Sequence, residues 1–284
     1  MDLVVLSIII LGGIGIVSAL MLFLTAKKFA VKENPKIAEI EELLPGANCG
    51  GCGRSGCHDF AVACACAKSL EGLHCPSSSA ETMARIASIV GLAKVAPTTP
   101  KVAVLHCNGT CANRPKKSDY DGPKSCHIEH SLYLGARGCA YGCLGGGDCV
   151  SACKFGAMVL NPIKGIVEID DEKCVGCGAC VEMCPRKLIE LRNKGPRGMR
   201  VYVACANKDK GALAMKECSV SCIGCGKCVK ECPHGAITLD DNLAYIDYAK
   251  CKLCKKCVPV CPRNAIIAVN FPVKKTTIVE NKEQ

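Results

Sequence analysis

The sequence carries no G-x-x-x-x-G-K-[ST] phosphate loop, no G-x-S-x-G elbow and no H-E-x-x-H pair. Nucleotide hydrolysis, serine-type acyl transfer and zincin chemistry lose their usual signatures with them. The stretch G-C-L-G-G-G beginning at Gly142 has the look of a dinucleotide loop. It follows no strand and contains a cysteine expected to bind metal, so that reading is set aside. No helix pair of a DNA-binding type stands out, and nucleic acid is not expected as a partner. Tryptophan is absent and aromatics make up only 4% of the 284 residues. No cleavable leader is expected either: the first apolar run follows Asp2 rather than a basic n-region.

What the chain has is cysteine, 27 in all. Such density usually marks a small secreted disulfide scaffold. Here the count is odd, and the spacings are short and repeated. Three runs read C-V-G-C-G-A-C-V-E-M-C-P from Cys174, C-I-G-C-G-K-C-V-K-E-C-P from Cys222 and C-K-L-C-K-K-C-V-P-V-C-P from Cys251. This C-x2-C-x2-C-x3-C-P spacing holds [4Fe–4S] clusters. Zinc ribbons use two separated C-x2-C pairs instead. The formal net charge is +10, but each oxidised cluster with four thiolates adds about −2. Six would add about −12, so the basic residues offset cofactor charge. Arg114, Lys116 and Lys117 form either a basic patch for an acidic protein partner or an ordinary solvated face.

Residues 3–24 are one apolar run without a charge, followed by Lys27, Lys28 and Lys32. At 1.5 Å per residue it is about 33 Å long as a helix, enough to cross a bilayer. It reads as an uncleaved single-pass anchor. The lysines place the following domains on the cytoplasmic side, where reduced thiols persist.

After the anchor, residues 35–44 are expected to form an amphipathic helix. Then comes N-C-G-G-C-G-R-S-G-C, which offers Cys49, Cys52 and Cys57, with Cys75 following a helix over 58–70. These four are the expected ligands of one cluster. Cys64 and Cys66 read as plain helix residues. Residues 81–96 predict a further helix, A-P-T-T-P a linker, and K-V-A-V-L at 101–105 a strand.

Two ferredoxin-like pairs follow. In two-cluster ferredoxins the fourth cysteine of each run ligates the other cluster. The second pair is regular: Cys222, Cys225, Cys228 and Cys261 on one centre, and Cys251, Cys254, Cys257 and Cys232 on its partner. The first pair begins with C-A-Y-G-C-L-G-G-G-D-C-V-S-A-C-K, read as a run of lengthened spacing with Lys154 in place of proline. By the same exchange Cys139, Cys143, Cys149 and Cys184 share one cluster, and Cys174, Cys177, Cys180 and Cys153 the other. Each pair contains a hairpin, M-V-L-N-P-I-K-G-I-V-E-I and A-I-T-L-D-D-N-L-A-Y-I-D. Twenty cysteines are thereby placed in five clusters, and seven remain. Cys107 and Cys205 each follow an apolar strand, and two such units packed together offer a sixth site. Its expected ligands are Cys107, Cys126, Cys205 and Cys218, with Cys111 as substitute; ordinary buried thiols are the alternative. No catalytic residue is expected, and no cofactor beyond [4Fe–4S].

The anchor, P-G-A-N-C-G-G-C-G-R-S-G-C, C-N-G-T-C, G-C-A-Y-G-C-L-G-G-G-D-C, C-V-G-C-G-A-C and C-S-V-S-C-I-G-C-G-K-C together resemble the B subunit of the Rnf complex, an ion-translocating ferredoxin:NAD oxidoreductase. The resemblance covers nearly the whole chain. It implies a membrane-anchored subunit that accepts electrons from reduced ferredoxin and relays them to the other membrane and peripheral subunits. No flavin-attachment S/T-G-A-T sequence and no nicotinamide fingerprint are present, so those sites belong elsewhere in such a complex. A tethered polyferredoxin serving a hydrogenase and an Fe–S sensor are the competing readings. The expected fold is α+β: an anchor over 1–28, a small helical [4Fe–4S] module over 29–96, two tandem two-cluster ferredoxin-like domains over 97–200 and 201–271, and a tail over 272–284.

Overall fold

The computed structural model describes residues 3–28, 34–93, 99–133 and 135–272. Lys32, most of the linker expected at A-P-T-T-P, and the tail beyond 272 lie outside these residues. Helix α1 (Leu3–Lys28) is the apolar run, and its last turn carries Lys27 and Lys28. Its 26 residues give about 39 Å of helix. The segment Ser7–Lys28 is long and apolar enough to cross a membrane, and none of it is buried against the rest of the chain.

The next three helices form a small body of their own. In α2 (Pro35–Leu43) the Asn34 side chain accepts from Lys36 N and proline opens the first turn. Helix α3 (Cys57–Cys66) ends at an extended Ala67, earlier than the 58–70 expected. Helix α4 (Ala80–Val90) is capped by Ser79 and stopped by Gly91 in the left-handed region, short of the expected 96. Ile37, Ile40, Phe60, Leu70 and Ile86 are buried together. Each such side chain contributes about 1.5–3 kcal/mol of burial.

The rest is built twice from one plan. In the first unit β1 (Lys101–Leu105) leads to helix α5 (Cys126–Leu132) and the short helix α6 (Asp148–Ser151). A hairpin follows, β2 (Met158–Asn161) with β3 (Ile166–Ile169), then α7 (Ala179–Glu182) and β4 (Ile189–Asn193). β4 pairs antiparallel with β1, Val104 opposite Glu190. In the second unit β5 (Arg200–Val203) leads to α8 (Gly211–Glu217) and α9 (Lys227–Glu231). Its hairpin is β6 (Ile237–Asp240) with β7 (Leu243–Ile246), turning at Asp241 and Asn242, both at positive φ. β8 (Ile266–Val269) closes back on β5.

A polar and aromatic seam joins the two units. His106 hydrogen-bonds Val203 O at 2.8 Å and Glu190 at 2.7 Å. Arg192, almost fully buried, donates to Val201 O and lies over the rings of Tyr202, Tyr245 and Tyr248. Arg200 grips Asp171 through both terminal nitrogens at 2.6 and 2.7 Å. Val104 of β1 packs with Tyr202 and Ala204. Burial alone would raise the Glu190 carboxyl. Hydrogen bonds from His106 and Tyr245 and the Arg192 charge outweigh it and hold the group down at about 2. The seam therefore stays charged at neutral pH.

Candidate iron–sulfur centres

Four cavities in the two units are each lined by four cysteines. Cys222, Cys225, Cys228 and Cys261 line one of about 380 Å³. Cys232, Cys251, Cys254 and Cys257 line its neighbour, about 330 Å³. In the first unit Cys153, Cys174, Cys177 and Cys180 line a cavity of about 340 Å³. In this crossed pattern the fourth cysteine of a run lines the other cavity, and in three of the runs the third cysteine, Cys149, Cys180 or Cys228, sits in a short helix that carries the fourth away. None of the 27 cysteines is paired in a disulfide. Among the described residues no three His, Cys, Asp or Glu side chains converge closely enough to grip a single ion. Four sulfurs around an apolar hollow suit a cuboidal cluster better than one zinc.

The fourth cavity, about 400 Å³, departs from the sequence expectation. Its cysteines are Cys126, Cys143, Cys149 and Cys184; Cys139 is not among them. A run counted from Cys143 instead sets this stretch in register with the other runs. Helix α6 begins at Asp148, α7 at Ala179 and α9 at Lys227. Counting back, Cys143 takes the place of Cys174 and Cys222, and Gly146 stands where those runs have Cys177 and Cys225. A Cβ on Gly146 would lie 3.0 Å from Cys126 Sγ and 2.6 Å from Cys126 N. The first residue of α5 thus brings a thiol to the place where those runs have their second cysteine. Asp148 fixes that helix end by accepting from Cys126 N at 2.9 Å and His127 N at 3.1 Å. The alignment of three helix starts was the sequence signal for this exchange.

Backbone amides support the sulfurs. Leu188 N donates to Cys184 Sγ and Ala265 N to Cys261 Sγ, both at 3.3 Å. Such bonds stabilise thiolate and tune potential. Burial pushes the Cys143, Cys149, Cys180 and Cys257 thiols up to about 12. As free thiols they keep their protons, so metal binding must release them.

In the helical module Cys75 is buried, Cys49, Cys52 and Cys57 are half-buried, and charge on Cys49 or Cys75 acts on Cys52. Asn48 Oδ1 accepts from Cys57 N at 2.6 Å and shapes the loop. Cys64 is buried in the module core and Cys66 is exposed. This loop touches the first ferredoxin unit. A Cβ on Gly51 would fall 2.8 Å from Cys177 Cβ and 2.6 Å from Cys177 O. Lys154, standing where the other runs have proline, donates to Asn48 O at 3.1 Å.

Of the remaining expected ligands, Cys107, Cys139 and Cys218 are buried and Cys205 is half-buried. Cys111 lies against Gly165. The grouping of Arg114 with Lys116 and Lys117 as a surface patch does not hold. Lys116 reaches Asp119 at the surface, while Arg114 is 2% exposed.

Comparison with known proteins agrees with this architecture. A 4Fe-4S dicluster domain family matches residues 139–188 and 221–265, and a second 4Fe-4S dicluster domain family matches 173–236. The FeS family, an Fe-S cluster domain, matches 44–71. The chain is 42% identical over 243 residues to the B subunit of the Na(+)-translocating ferredoxin:NAD(+) oxidoreductase complex of Acetobacterium woodii, covering 86% of this chain and 71% of that one. It is 37% identical to the B subunit of the proton-translocating counterpart in Clostridium ljungdahlii, covering 88% and 87%. It is also 37% identical to the B subunit of the ion-translocating oxidoreductase complex of Methanosarcina acetivorans, covering 86% and 90%. With an apolar N-terminal helix, a helical Fe–S module and two dicluster units in one α+β chain, the protein belongs to the family of B subunits of ion-translocating ferredoxin:NAD(+) oxidoreductases, as an iron–sulfur component of a membrane-associated complex.

Proposed function

We propose that this chain takes electrons from reduced ferredoxin at the second ferredoxin unit and delivers them through the first unit to the helical module beside the membrane. The observation that carries the reading is the order of the cysteine sets. Cys251, Cys254 and Cys257 with Cys232 stand at one end. Cys222, Cys225, Cys228 and Cys261 come next, with Cys228 acting on Cys257. Across the seam stand Cys126, Cys143, Cys149 and Cys184. Cys180 acts on Cys149 and leads to Cys153, Cys174, Cys177 and Cys180. Gly51 then brings Cys49, Cys52, Cys57 and Cys75 against Cys177. A [4Fe–4S] cluster in each set supplies one-electron chemistry at low potential.

The protein's own part is spacing, charge and shielding. At the outer end Cys254 is exposed, and Lys252, Lys255 and Lys256 rim its cavity. That rim suits an acidic electron donor such as ferredoxin. At the other end the module follows α1, whose closing lysines favour the cytoplasmic side for the cluster-bearing part. The other subunits of the complex accept the electrons there. NAD reduction and ion movement belong to those subunits.

The test is anaerobic reduction of the purified chain by ferredoxin. Rapid, reversible bleaching of the Fe–S absorption is expected, slowing as salt rises. Reduction by dithionite with none by ferredoxin would overturn the proposed input. Recovery of the chain with a hydrogenase, without the other subunits of the complex, would also overturn it.

A further inference from the structure

The residue two places past each fourth cysteine lines that cysteine's cavity. Arg186 does so beside Cys184, Arg263 beside Cys261, His234 beside Cys232 and Phe155 beside Cys153. One position thus meets all four cavities, and its side chain differs between them. Arginine stands at the two cavities that flank the seam. Histidine and phenylalanine stand at the outer two.

Bonds at the seam place the arginine-bearing pair. Cys143 N donates to Cys107 Sγ at 3.4 Å, and Cys222 N to Cys205 Sγ at 3.3 Å. Those strand-end residues meet, because Asn108 N donates to Ala204 O at 3.0 Å. Asn207, 1% exposed, spans the units: its backbone N donates to Cys205 Sγ at 3.4 Å and its side chain to Cys139 Sγ at 3.5 Å.

The two arginines are held alike. Arg186 Nη1 donates to Cys139 O at 3.4 Å and to Gly142 O at 2.5 Å. Arg263 Nη2 donates to Cys218 O at 3.1 Å. Cys139 precedes Cys143, and Cys218 precedes Cys222, by the same C-x3-C interval. Each guanidinium therefore ties the segment of the fourth cysteine to the approach of the run that shares its cavity. Nε of both is buried, and that of Arg263 has no hydrogen-bond partner among the described residues. Arg186 interacts with the charge of Cys143, while Glu129 and Arg114 act on it with opposite signs. Guanidinium stays charged in such a setting. Its field is screened far less than that of the exposed Lys252, Lys255 and Lys256 around the outer cavity.

We propose that Arg186 and Arg263 are tuning residues that raise the potentials of the two seam-facing clusters above those at the outer cavities, so that two electrons are held in reserve at the seam. The inference rests on the cluster reading and the route above. With ferredoxin as reductant, one electron takes each core and its four thiolates from about −2 to about −3, and no bond forms or breaks. A fixed positive charge favours the more negative state. Nicotinamide takes electrons as a hydride, two at a time. A pair of filled one-electron sites supplies both without a wait for the next ferredoxin.

The test is an EPR-monitored redox titration of the full chain purified without oxygen, with iron and acid-labile sulfide measured on the same samples. Arg186→Gln and Arg263→Gln should keep the wild-type iron. Each should lower the reduced-to-oxidised ratio of a different cluster about tenfold at a fixed potential, a shift of about 59 mV to the negative. Arg186→Lys and Arg263→Lys should keep the wild-type potentials. Phe155→Arg and His234→Arg should each move a further cluster to the positive, and in the wild type the arginine-tuned pair should reduce before both of these. Unchanged potentials with iron retained, or lysine variants shifted as far as the glutamine ones, overturn the tuning and leave the clusters standing. If the glutamine variants lose iron, the Phe155→Arg titration decides: an unmoved cluster overturns the proposal. Zinc without sulfide would instead sink the cluster reading, and this inference with it.

Discussion

The two ferredoxin units share a plan and differ by a reciprocal exchange. In the second unit Cys225 sits within its run, and α8 begins with Gly211, whose Cβ would lie 2.9 Å from Ile223 O. In the first unit the run carries Gly146, and α5 begins with Cys126 at the corresponding place. In each unit the helix start and the run touch, and one side of that contact carries the thiol while the other carries glycine. A four-sulfur site is therefore specified by where the sulfurs arrive. The spacing along the chain is only the commonest way to bring them there.

The strongest way to break this comparison is to remove the exchanged thiols. Cys126→Ala and Cys225→Ala should each lose about four iron atoms from the chain, while Cys111→Ala loses none. Iron analysis checks this, and full retention in Cys126→Ala would show that the two units differ in more than ligand position. Next in size is the contact that the first unit makes with the helical module. Gly51→Val places side-chain atoms against Cys177 and should slow electron passage between module and unit, with all iron retained. Weakened magnetic interaction between the two clusters in EPR would register the separation; unchanged coupling would refute it.

The lysine rim of the Cys254 cavity gives a smaller effect. Lys252→Glu, Lys255→Glu and Lys256→Glu together should slow ferredoxin-driven reduction about tenfold or more at low salt. Dithionite reduction should not change, and the difference should fade in high salt. The smallest effect concerns what joins the units. Glu190→Gln loosens the grip on His106 and Arg192, and should speed hydrogen exchange at Asn108 and Ala204 while leaving the hairpin β6–β7 protected. Equal exchange in both proteins would mean that packing of Val104 on Tyr202 holds the seam without the charge.

The regular runs were legible because their ligands are consecutive, and because the fourth cysteine's exchange is a property of the motif. The hairpins and strand β1 were legible from alternation and from Asp241-Asn242. Cys126 was not, since it reaches its cavity from the start of a separate helix with no spacing rule to announce it. Gly146 was the available clue, readable once the three short helices are set in register. Arg114 was misread for another reason. A sequence shows its charge, but only the fold shows that Arg192 and Arg114 are interior while Lys116 and Lys117 face water.

The seam has a consequence for how such a chain matures. Asn207 joins thiols that belong to different halves, and Asn108 ties the two backbones beside it, so neither half alone builds this seam. A nascent or damaged chain with one half unfolded remains an open circuit. On the proposed route, electrons collected at its exposed end would have no onward path, and current would flow only through a molecule whose two halves have found each other.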